Sequence, residues 1–150
     1  MFLKQSVKNL MEMNNVTGQE VVEMMDIMEL LFQAGKKNDV IDEQLVWDKA
    51  VKRMESVSIE DSGVSFQKIR DAVLGMGRIL EENQEEQYYL LIANVGLSAA
   101  VLVARASEGV AEAAAYAEEG IIRQQLTHKA LEMFKTRLSS LQSYPRQKDD

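Results

Sequence analysis

The sequence predicts an all-α fold, a bundle of five to six helices, and three observations carry that expectation. The only proline is Pro145, close to the end of the chain, so nothing before it locks a backbone torsion or removes a helix donor. Ala, Leu, Met, Glu, Gln, Lys and Arg, the strongest helix formers, are abundant. Apolar residues recur at three- and four-residue spacing along much of the chain.

Each element follows from that spacing. A short first helix is expected over about residues 3–13, with Leu3, Val7, Leu10 and Met11 on one face, broken by Asn14 and Asn15. Thr17-Gly18-Gln19-Glu20 reads as a capping box that opens a second helix. Its stripe is Val21, Met24, Met25, Met28, Leu31 and Phe32, and Gly35 with Lys36-Lys37 is the expected stop. Val22, Ile27 and Leu30 fall outside that stripe, so this helix is expected to be covered on more than one side. Asn38 or Asp39 can cap a third helix reaching Glu55, with Val40, Trp47, Ala50, Val51 and Met54 on a common face. Val57–Phe66 alternates apolar and polar residues around Glu60-Asp61-Ser62-Gly63. This is compatible with a short β-hairpin near residues 57–66, and the favoured reading is a loop leading into a helix.

A fourth helix is expected over residues 66–82, with Ile69, Val73, Met76 and Leu80 inward. The core is expected to be a long, apolar, alanine-rich central helix from about Gln84 onward. Gly96, Ala100 and Ala104, then Gly109, Ala113 and Ala117, recur every four positions and would form smooth ridges on it. A closing helix over residues 121–141 would bury Ile122, Leu126, Ala130, Met133, Phe134 and Leu141, separated from the central one, or bent from it, at Gly120. One helical domain over residues 1–142 and a flexible tail over 143–150 complete the expectation.

Composition narrows function. The chain has 150 residues, no cysteine and a net charge of −7, which excludes disulfides and thiolate chemistry and makes nucleic-acid binding through a basic stripe a poor fit. Residues 1–5 lack the pattern of a secretory signal, so a cytoplasmic protein is expected. His128, the only histidine, reads as a surface residue paired with Glu132 one helical turn on. It cannot meet the count of two histidines that a ferritin-like di-iron bundle needs. No cofactor, metal site or catalytic set is expected, and the reading leans away from an enzyme.

Three functional classes remain. The first is a non-enzymatic protein–protein interaction protein: a homo-oligomeric subunit, an adaptor or a helix-binding chaperone. Six of the nine methionines lie in the first 28 residues, and methionine makes adaptable apolar surfaces. Val22, Met24, Met25, Ile27, Met28 and Leu30 are the candidate partner-binding residues, with Trp47 as the natural anchor. The second class is a metal-dependent hydrolase using the acidic cluster at residues 81–86, chiefly Glu81, Glu82 and Glu85. Its Glu-Glu-x-x-Glu spacing resembles half of the magnesium site of all-helical nucleotide pyrophosphohydrolases, but no Glu-x-x-Asp follows it to supply the other half. The third is a membrane-active protein inserting Tyr88–Ala104, a run of 17 residues without a charge, at the short end of the range for a spanning helix.

Overall fold

The computed structural model describes residues 25–118 and 123–148. It is not an all-α bundle. Its centre is a five-stranded antiparallel sheet in the order β1-β5-β4-β3-β2. The elements are α1 (Ile27–Lys37), α2 (Trp47–Ala50), a 3₁₀ turn (Val51–Arg53), β1 (Met54–Glu60), α3 (Phe66–Val73), β2 (Gly77–Asn83), β3 (Tyr88–Val95), β4 (Ser98–Ser107), β5 (Val110–Tyr116) and α4 (Arg123–Lys148). Strands β2 to β5 form a meander, and β1 pairs with β5 from Met54↔Tyr116 to Glu60↔Val110.

The sheet is buried on both faces. On one face α1 lays Ile27, Leu30, Leu31 and Ala34 over Leu90, Val103, Ala114 and Tyr116. On the other, α3 and α4 lay Ile69, Val73, Ala130, Leu131, Phe134 and Leu138 over Tyr89, Leu91, Leu102 and Ala113. Arg137 of α4 donates to the Ala72 carbonyl near the end of α3, which ties the two helices of this layer together. Tyr89 stacks on Phe66 at 4.4 Å between ring centroids.

This two-sided burial explains why the expected central helix is three strands. A strand covered on both faces carries apolar residues at every position and loses the alternation that would reveal it. Ala113 faces α4 and its neighbour Ala114 faces α1. The four-residue recurrence of small residues is also a multiple of the strand period of two, so Ala100 and Ala104 share a face in β4. The turns were the distinguishing signal. Gly96-Leu97 joins Val95 to Ser98, and Glu108-Gly109 joins Ser107 to Val110. Both glycines take positive φ, +61° and +68°, as tight hairpin turns require.

The other helical expectations shift for local reasons. The helix expected over residues 17–35 does not run through Asp26, whose extended backbone and side chain cap α1 by accepting from the Met28 amide. Thr17 and the rest of the capping box lie outside the described residues, as does the helix expected over residues 3–13. Gly35 is not the stop. The helix continues to Lys37 and ends with Asn38 as cap and Asp39 at φ 62°, the left-handed position usually given to glycine. Asn38 and Asp39 therefore close one helix instead of opening another, and residues 54–60 form an edge strand.

No hairpin forms at residues 57–66: Val57 and Ile59 pair with Ala113 and Ala111, and Ser65 caps α3. The fourth expected helix stops at Val73, and Ile79 and Leu80 belong to β2. The closing helix is present as α4. Ala130 and Phe134 are buried as expected, while Leu131 and Leu138 are buried and Leu126, Met133 and Leu141 are partly so. Ile122 is outside the described residues. No helix among the described residues is long and apolar enough to cross a membrane, and Tyr88–Ala104 is most of the β3–β4 hairpin.

Candidate functional site

α1 is held to the sheet along one side only. Leu31 is fully buried, whereas Phe32, one residue and about 100° further round the helix, is only partly covered. The outward side carries Asp26, Glu29, Phe32, Gln33 and Lys36. Among the described residues these line an open groove of about 820 Å³. One flank is Trp47, whose ring meets Phe32 edge-on at 5.3 Å. Tyr88 at the start of β3, Asn83 at the end of β2 and Glu86 of the turn between them also line it. Lys36 lies over the Phe32 ring at 4.3 Å and donates to the Glu43 carbonyl at 2.9 Å. The groove thus has an aromatic middle, acidic groups toward the N-terminal end of α1 and lysines toward its C-terminal end.

The lysine end is anchored by a polar knot. Glu81 accepts hydrogen bonds from Lys37 Nζ at 2.7 Å, Asn38 Nδ2 at 2.9 Å and the Tyr88 hydroxyl at 2.9 Å. Burial pushes the Glu81 carboxyl up, but the bonds from Lys37, Asn38 and Tyr88 outweigh it and leave its pKa below the ordinary 4.5. The same bond to Glu81 raises Lys37 above 10.5. Burial, then the bond to Glu81, raises Tyr88 above 10.0. The knot links Lys37 and Tyr88, which both line the groove, through the one Glu81 carboxylate.

The sequence-predicted residues distribute around this site. Met25 is buried in the α1-side core and also lines the groove. Ile27 and Leu30 point at the sheet, and Leu30 also reaches the groove floor. Met28 is half-buried against the same core. Trp47 is 37% exposed and its neighbour Val46 56%, so large apolar surface does reach solvent beside α1. Val22 and Met24 lie outside the described residues. Phe32, Glu29 and Lys36 were missed as site residues. The signal was a pair of opposite charges seven residues apart flanking an aromatic, which shares one helix face.

The acidic cluster does not assemble. Glu81 sits opposite Leu90 on the α1 face and Glu82 opposite Tyr89 on the α3 face. Glu82 instead lies 3.9 Å from Arg70. His128 does not pair with Glu132. Its Nδ1 lies 3.3 Å from Glu55 of β1, while Glu132 approaches Lys135. No group of three or more His, Cys, Asp or Glu among the described residues could hold a metal ion.

Elsewhere, Asp61 pins the β1–α3 loop. It accepts from the Gly63 amide at 3.0 Å and pairs with Lys68 at 3.0 Å, and its own amide donates to the Gly109 carbonyl. This arrangement is structural, tying that loop to the β4–β5 turn. Comparison with protein families, with curated proteins and with solved structures finds no match to this chain.

Proposed function

We propose that this chain is a protein-interaction module that binds an amphipathic helical segment along the outer side of α1. The observation that carries the reading is the edge contact of the partly buried Phe32 with the exposed Trp47 at a groove with charged ends. An aromatic centre with a charged rim is the usual anatomy of a protein interface, and Trp and Tyr are the side chains that most often anchor one. The volume suits a few side chains of a helix laid lengthwise, the groove mode of helix recognition. The work done is binding, in a homo-oligomeric subunit, adaptor or chaperone, and the cysteine-free composition suits the cytoplasm.

Trp47 is the only tryptophan, so its fluorescence reports on this groove alone. Titration with an amphipathic peptide of leucine and lysine should shift its emission to the blue and saturate, and Phe32→Ala should weaken that response. An emission spectrum indifferent to the peptide would count against the reading.

A further inference from the structure

We infer that the groove's partner is a second copy of this chain, packed antiparallel through α1 about a two-fold axis. The inference rests on the reading of the outer α1 side as an interaction surface and names its occupant. Glu29, Phe32, Gln33 and Lys36 stand at positions i, i+3, i+4 and i+7 and form one stripe. The stripe is self-complementary under reversal. An axis crossing α1 between Phe32 and Gln33 sets Glu29 opposite Lys36 of the second copy, and Lys36 opposite its Glu29. The two Phe32 rings meet near the axis, each backed by its own Trp47. A closed two-fold contact requires such a patch, in which one surface matches itself.

The dimensions agree. Seven residues of helix separate the two charges by about 10.5 Å, which leaves room for the aromatic centre at a helix spacing of roughly 8–10 Å. Lys36 is held within the stripe by the Phe32 ring and the Glu43 carbonyl. Glu29 is engaged within its own chain, and the contact across the axis adds to that engagement.

Charge reversal tests the inference. Sedimentation equilibrium of the full chain should give a dimer. Glu29→Lys and Lys36→Glu should each raise its dissociation constant roughly tenfold, because each sets two like-charged pairs across the axis. The double variant E29K/K36E should return close to the wild-type constant. Both changes oppose the helix dipole, so the double variant should also be the least stable as a monomer. Recovery of the dimer therefore cannot come from a better helix.

A double variant as weak as the single ones overturns the inference, as does a dimer indifferent to either reversal. A monomeric full chain overturns it too, and the leucine–lysine peptide then separates two cases. If Trp47 emission still shifts with the peptide, the groove serves a different protein and the surface reading stands. If it does not shift, both fall.

Discussion

Leu31 and Phe32 are adjacent and both apolar, and truncating each to alanine should separate the buried side of α1 from its outward side. Leu31 is fully buried within the cluster that joins α1 to the sheet. Removing its outer carbons forfeits their transfer energy and leaves a cavity under the helix, a cost of about 2–5 kcal/mol. Phe32 is half-buried and forms an edge contact with Trp47 and a face contact with Lys36. Its truncation should cost less, about 1–2 kcal/mol, since the ring is only partly covered and its alanine leaves a gap open to solvent instead of a closed cavity. With an unfolding entropy of ~2.1 cal/mol/K per residue, the 150-residue chain loses about 10 °C of Tm for Leu31→Ala and about 5 °C or less for Phe32→Ala. Guanidinium and thermal unfolding followed by circular dichroism, at concentrations too low for association, measure both. Phe32→Ala costing as much as Leu31→Ala would refute the placement of α1, because both residues would then face a core.

Other perturbations test separate parts of the fold and site. Gly77→Ala should destabilise strongly, by about 3 kcal/mol or more, because a Cβ there would overlap the Ile92 carbonyl oxygen, which is backbone and cannot swing aside; near-native unfolding curves would contradict the β2–β3 register. Asp61→Ala should cost about 3 kcal/mol by leaving Lys68 without its buried partner, read from the denaturation midpoint, and a neutral substitution would show that the loop is not pinned there. Glu81 has a lowered folded pKa, so its stabilising contribution is present above the ordinary value of 4.5 and is lost as pH falls through the folded value. Glu81→Gln should therefore lie below wild type at neutral pH and converge with it as pH falls through the folded value; parallel stability–pH profiles would contradict the knot. Lys37 has a raised pKa, and its contribution should hold below 10.5 and fade as pH rises through the folded value.

The parts of the fold that sequence reasoning recovered were those with one buried side. α4 is covered on one side and free on the other, so its period of 3.6 is visible, and Ala130 and Phe134 were read correctly as inward. The loop leading into α3 was anticipated around Glu60-Asp61-Ser62-Gly63, but the strand before it, Met54–Glu60, and the Ser65 cap were not. The sheet was hidden by its own burial, since β3, β4 and β5 are apolar on both faces and rich in alanine, a strong helix former. In β5 alanine reflects packing between two layers and not helix propensity.

The candidate site was only partly legible for a related reason. Of the residues singled out in the sequence, Met25, Leu30 and Trp47 line the groove, while Val22 and Met24 lie outside the described residues. The helical phase, however, was counted from Thr17, and the cap at Asp26 leaves Ile27 and Leu30 on the sheet side, with Phe32 only partly buried at the edge of that core. Glu81 could be singled out as part of an acidic run, but its partners Lys37 and Asn38 lie more than forty residues away, and a hydrogen bond between segments so distant in sequence leaves no local pattern.

The exposure of Trp47 during self-association tests the central claim most directly, measured as acrylamide quenching alongside solution mass over the same range of concentration. The account predicts that quenching falls and emission moves to the blue as the mass doubles, because the ring enters the interface beside Phe32. A mass that doubles while Trp47 remains as accessible as in the dilute chain would contradict the account and move the interface to another face.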